Sequence, residues 1–170
     1  MDHIAFILVL TVMYSYNQFR PLLIQVTSFT IGHSITLVLS VFGLISFKPA
    51  YTEILIVLTI LFTALSNLYV LQKGLSSNKI SYYLAAFFGL IHGMGFSYLL
   101  KAMLGKTESI VLPLFAFNLG IEIAQLLIVA ILLIISFILV KFVGLKQRMW
   151  QAISSSLALV LSIYLLIDRL

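Results

Sequence analysis

The chain has 170 residues, of which 62% are hydrophobic and 9% charged, with a mean hydropathy of +1.20. Soluble globular domains carry about 25% charged residues, so lipid must be the main solvent, and the length admits a single domain, residues 1–170, with no room for a separate soluble module. The net charge of +5 reads as Lys and Arg near anionic headgroups, not as a nucleic-acid surface, and the absence of cysteine excludes disulfides, thiolate metal sites and cysteine nucleophiles.

Taken in chain order, apolar runs alternate with short polar connectors. The first run, Ile4 to Tyr16, ends at Asn17-Gln18-Phe19-Arg20-Pro21. The second, Leu22 to Ile45, ends at Phe47-Lys48-Pro49, and the third, Thr52 to Leu71, at Lys73-Gly74. A fourth covers Ile80 to Leu104, ending at Gly105-Lys106-Thr107-Glu108. The fifth, Leu114 to Val140, closes near Lys146-Gln147-Arg148, and the sixth, Met149 to Ile167, stops at Asp168-Arg169-Leu170. A spanning helix needs about 20 apolar residues. Five runs reach that length and the first does not, so either its helix begins upstream or His3 sits at membrane depth. The expected fold is all-α: a polytopic transmembrane bundle of about six helices, with antiparallel neighbours because the connectors are short. No cleavable signal is expected from Met1-Asp2-His3, which leaves insertion to the hydrophobic segments themselves.

Cationic residues orient the bundle weakly. Connectors 1–2, 3–4 and 5–6 hold Arg20, Lys73, Lys79, Lys141, Lys146 and Arg148; the other side holds Lys48, Lys101, Lys106 and Arg169. Six against four places the first group inside and both termini outside.

Polar side chains in hydrocarbon are expensive and tend to face the bundle interior. All three histidines fall in apolar stretches: His3 at the head of the first run, His33 in Phe29-Thr30-Ile31-Gly32-His33-Ser34-Ile35-Thr36, and His92 in Phe88-Gly89-Leu90-Ile91-His92-Gly93-Met94-Gly95-Phe96. Counted from Tyr16, Leu22 and Ile80, they lie 13, 11 and 12 residues in, about 16–20 Å at 1.5 Å per residue. Three imidazoles on three helices thus share one level. Asn118, Glu122 and Gln125, spaced i, i+4, i+7, share one helical face. Glu122 is 18 residues from Val140, which puts it about 27 Å from the inner side, nearer the outer mouth. Imidazole and carboxylate together suit a borderline divalent cation: nickel, cobalt, zinc or copper(II). Gly32, Gly89, Gly93, Gly95 and Gly120 beside these groups would let helices approach closely.

Plainer roles stand beside these. Each histidine could be an interhelical hydrogen-bonding group, Glu122 a protonated partner across helices, and Asn118 and Gln125 simple glue. Thr30, Thr36 and Asn67 read as packing or supporting groups, and Glu53 as a negative charge at the start of the third helix. A haem held by His33 and His92 remains open, as does a structural bundle without transport. No His-Glu-x-x-His, Gly-x-Ser-x-Gly or phosphate-binding glycine loop is present, so an enzyme is not expected.

Asp2-His3-Ile4, the His33 and His92 segments above, and Phe117-Asn118-Leu119-Gly120-Ile121-Glu122-Ile123-Ala124-Gln125 resemble, in order and rough spacing, the motifs of the HupE/UreJ family. Members are small polytopic bacterial membrane proteins associated with hydrogenase and urease accessory functions and regarded as nickel or cobalt permeases. The resemblance implies metal handling by Asp2, His3, His33, His92 and Glu122, supported by Asn118, Gln125, Thr30, Ser34 and Gly93. The family's first motif carries a further histidine and a glycine shortly before the Asp-His pair; here Met1 precedes it directly. The implied protein is a multi-pass resident of the bacterial cytoplasmic membrane with no tightly bound cofactor. Its expected partners are the bilayer, the transported divalent ion (nickel favoured) and, in a homo-oligomer, further copies of itself.

Overall fold

The structure, a computed structural model, describes residues 2–75, 80–104 and 111–170. The connector residues Lys79, Gly105, Lys106, Thr107 and Glu108, which entered the connector and charge expectations, lie outside the described residues. Among the described residues six helices follow one another: α1 (Asp2–Thr11), α2 (Phe19–Val41), α3 (Pro49–Lys73), α4 (Ile80–Leu104), α5 (Val111–Lys141) and α6 (Gln147–Arg169). Among the described residues there is no strand. Five helices are long and apolar enough to cross a membrane; α1 is a shorter apolar helix.

The boundaries follow local chemistry. Lys48 precedes α3 and Pro49 opens it, where a missing N–H costs nothing. The same helix closes on Gly74, whose φ of +68° places it in the left-handed region, and the Leu75 N–H donates to Val70 O at 3.1 Å. Helix α1 stops at Thr11, five residues before the apolar run ends, and the chain turns through 12–18. A helix end inside a bilayer leaves carbonyls that lipid cannot satisfy. Side chains from other helices do so. Asn67 Nδ2 on α3 donates to Val9 O at 2.7 Å, and Gln151 Nε2 on α6 donates to Met13 O at 2.9 Å. Asn67 is therefore a cap for α1 rather than a general packing group.

At the opposite end of α1, Arg169 binds the Asp2 carboxylate at 2.7 Å and donates to Glu53 O at 3.0 Å. Residues 2–14 thus run between the two ends of α6: Asp2 beside Arg169, and Tyr14 O 3.4 Å from Gln147 Nε2. A segment too short to span as a helix still traverses the bundle because its last residues are not helical.

The most extensive helix pair is α2 with α4, followed by α3 with α6. Without a hydrophobic force between lipid-bathed helices, such pairs rest on close packing of small residues. In α6 the buried residues are Ser154, Ser155, Ala158 and Ser162. Between α2 and α4 the contact is closer still. A methyl on Gly32 would collide with Ala86 O, and one on Gly89 with Phe29 O. One on Gly93 would lie 2.5 Å from His33 O. The expected close approach holds at these three glycines and at Gly95, where a methyl would lie 2.7 Å from Ile56 Cδ1 of α3, but not at Gly120, around which a methyl would meet nothing within 4 Å. Phe6, Val9 and Leu10 of α1 pack with Phe29, Ile56, Ile60, Ala64, Ala85 and Phe88 into the principal core.

Candidate metal site

Three helices bring the three histidines together. The short helix α1 supplies His3, α2 supplies His33 from the face that also carries Phe29, and α4 supplies His92 at its midpoint, twelve residues from either end. The glycine contact between α2 and α4 draws the last two backbones toward each other. The His3 ring centroid lies 5.7 Å from that of His33 and 4.7 Å from that of His92. His33 and His92 are 0% exposed, and His3 is half-buried. Phe6, Phe29 and Phe96 enclose the group: Phe96 stands 4.4 Å from His3, Phe6 4.6 Å from His92 and Phe29 5.1 Å from His92.

The imidazole nitrogens are short of partners. His3 Nε2, His33 Nδ1, His33 Nε2 and His92 Nδ1 are all buried and make no hydrogen bond. Buried polar atoms are nearly always bonded, and an orphaned group points to an ion, a water or a functional demand. The two spacings from His3 are near those of imidazoles on one ion. Imidazole nitrogens about 2.0–2.1 Å from a tetrahedral cation place their ring centroids about 5 Å apart. In the present arrangement His3 meets its two neighbours edge to face, at 89° and 84°. Among the described residues no set of three His, Cys, Asp or Glu side chains is arranged to hold a metal ion. Turning the rings about their side-chain torsions is what a chelating arrangement would need.

His92 Nε2 has a partner: it lies 2.8 Å from Thr59 Oγ1, a buried hydroxyl on α3. Thr59 was invisible to motif reading. The available signal was the i, i+4, i+8 spacing of Thr59, Thr63 and Asn67, a polar stripe on an otherwise apolar helix.

The remaining predicted residues form a separate system between α2 and α5. Thr30 Oγ1 meets Gln125 Oε1 at 2.9 Å, and Ser34 Oγ donates to Asn118 Oδ1 at 3.0 Å. Glu122, between those two rungs, lines open grooves of about 420 and 400 Å³ with Thr30 and Ser34. The rungs fix the register and put Glu122 level with residues 30–34, the depth of His33. The expected position nearer the outer mouth is thereby corrected. Helix α5 has 31 residues, more than a bilayer requires, so counting from its inner end overstated the depth. Asp2, adjacent to His3 in sequence, has its carboxylate engaged by Arg169. Gly93 contributes through backbone approach alone. For a haem between His33 and His92 the packing is adverse: the rings of His3 and Phe29 touch both histidines, where a macrocycle would have to lie.

A sequence family described as HupE / UreJ protein matches residues 1–168. The chain belongs to the HupE/UreJ family. Membership, with five apolar helices of spanning length, makes it a multi-pass membrane protein of the hydrogenase and urease accessory class, associated with nickel or cobalt. No curated protein and no solved structure matches the chain.

Proposed function

We propose that this HupE/UreJ protein is a permease for a divalent transition-metal cation, nickel or cobalt, and that His3, His33 and His92 bind the ion in transit. The observation that carries the reading is the convergence of three imidazoles from three helices, with four buried ring nitrogens lacking partners. Neutral imidazole is a ligand for such ions, and a site built to release its cargo suits mixed nitrogen and oxygen donors better than a closed thiolate cage.

In this reading the protein lies in the bacterial cytoplasmic membrane with both termini outside, and the ion moves inward. The membrane potential supplies about 2.3 kcal/mol per charge per 100 mV, twice that for a divalent cation. Glu122 and Asn118, at the groove between α2 and α5, receive the hydrated ion; the histidines replace part of its water shell; release is cytoplasmic. Phe6, Phe29 and Phe96 keep lipid and bulk water from the imidazoles, so the nitrogens retain lone pairs for the ion.

Radiometal uptake by cells expressing the wild type and His92→Ala, with a panel of divalent competitors, tests this. Saturable nickel or cobalt uptake that His92→Ala abolishes is the expected result. Equal uptake by the variant, with the bundle intact, would refute a transport role for the cluster and leave these residues as helix glue.

A further inference from the structure

We infer that Thr59 is a positioning residue: its hydroxyl fixes the tautomer of His92 so that Nδ1 is the nitrogen offered to the metal. The inference rests on the metal-handling reading above but starts from a count of hydrogens. Thr59 Oγ1 lies 2.7 Å from Ile56 O and 2.8 Å from His92 Nε2. A carbonyl oxygen cannot donate, and two oxygens 2.7 Å apart with no hydrogen between them repel. The single hydroxyl proton therefore lies toward Ile56 O. The Thr59 oxygen is then left to accept, and His92 Nε2 must be the donor. A neutral imidazole carries one N–H, so Nδ1 holds the lone pair. Nδ1 is also the atom of His92 that is buried without a partner.

The surroundings reinforce this assignment. His92 is fully buried, and Thr59 is 4% exposed, so no bulk water competes for either group. The i−3 carbonyl of Ile56 anchors the hydroxyl to the helix that carries it, and α3 packs directly on α4. Metal-binding histidines commonly donate their second ring N–H to an oxygen that sets both tautomer and ring orientation, and disturbing that oxygen typically costs about 10–100-fold in metal affinity. Here a threonine oxygen fills that place, polarised by its own bond to a helix carbonyl. His33, with both nitrogens unpartnered, has no such hydrogen-bonded restraint. The cluster thus combines an imidazole tethered by a hydrogen bond with one that has no such tether.

The test uses the full chain in lipid nanodiscs, metal-free, labelled with ¹⁵N-histidine. With three histidines in the sequence, the ring-nitrogen spectrum is simple, and the His92 pair is the one lost in His92→Gln. The expected wild-type spectrum has Nε2 protonated and Nδ1 bare at His92. Thr59→Val, close in shape and without the oxygen, should mix the tautomers and lower nickel affinity in equilibrium dialysis by roughly 10–100-fold; Thr59→Ser should restore both. A wild-type His92 protonated at Nδ1 overturns the inference, whether or not Thr59→Val folds. So does Thr59→Val with an altered tautomer and unchanged affinity. Wild-type protein that binds neither nickel nor cobalt defeats the permease reading instead, while the metal-free spectrum still decides the tautomer.

Discussion

Replacing Gly93 by alanine adds one methyl group where α4 meets the backbone of His33. That methyl would lie 2.5 Å from His33 O and 3.0 Å from Thr36 Cβ, whereas ordinary contact begins at 3.4 Å. Helices α2 and α4 must part there by about 0.9 Å, the difference between those distances. The obstacle is a backbone carbonyl, which cannot swing aside. Overpacking of this kind costs about 1–3 kcal/mol, and alanine's better helix propensity offsets about 0.5–1 kcal/mol of it, leaving a net loss of up to about 2.5 kcal/mol. Gly120→Ala is the matched control: a methyl there meets nothing, so only the propensity gain of about 0.5–1 kcal/mol remains. Equilibrium unfolding of both variants in mixed micelles, followed by circular dichroism, should shift their midpoints in opposite directions. Because the displaced carbonyl belongs to His33, Gly93→Ala should also weaken nickel binding, by roughly tenfold or more, since ligand positions tolerate only about 0.2 Å. Two variants of equal stability would refute the close α2–α4 packing on which the histidine cluster depends.

Other consequences are as direct. Asn67→Leu removes the donor to Val9 O and should cost about 1–3 kcal/mol, the usual penalty for a buried carbonyl left bare, with faster hydrogen exchange confined to α1 as its local signature. Asp2 and Arg169, 2.7 Å apart with side chains 16% and 19% exposed, should show a coupling of about 0.5–1 kcal/mol in an Asp2→Asn/Arg169→Gln double-mutant cycle, decreasing as salt is raised. Imidazolium has no lone pair for a metal, so metal uptake should decline as the medium is acidified; uptake that stays constant down to the pH at which the bundle unfolds would contradict the cluster's role. Glu122→Gln should raise the half-saturating metal concentration for uptake while leaving metal binding by the purified protein unchanged; loss of binding would show that the carboxylate is a direct ligand.

The apolar runs located the helices because hydrophobic length is dictated by bilayer thickness, and lipid leaves few alternatives to a helix. The fourth run coincides with α4, Ile80–Leu104, and the others end within a few residues of α2, α3, α5 and α6. Failure came at α1. Its apolar run continues to Tyr16 while the helix stops at Thr11, because Asn67, Gln147 and Gln151 accept the burden of its free carbonyls from sequence positions 58 to 138 residues away. No local pattern records such a debt. The shared level of the histidines was legible for a similar reason to helix length: rise per residue converts sequence into relative height. Direction around the helix was harder. Nothing local distinguishes the face of α2 that meets α4 from the one that meets α5.

That difference in direction separates two kinds of polar residue that resemblance alone would merge. His33 and Ser34 are consecutive, so their side chains leave α2 about 100° apart. His33 turns to His3 and Phe96; Ser34 turns to Asn118. Glu122, which lines the groove with Ser34, therefore opens on a different side of α2 from the imidazoles while sharing their depth. An ion held by the histidines and one met by the carboxylate occupy different positions, joined only by the circumference of α2. In the proposed permease, Glu122 would serve arrival and the histidines binding. The difference in direction also explains why the glycine contact matters to both: it fixes the rotation of α2 against α4, and with it which residues of α2 face the core and which face the groove.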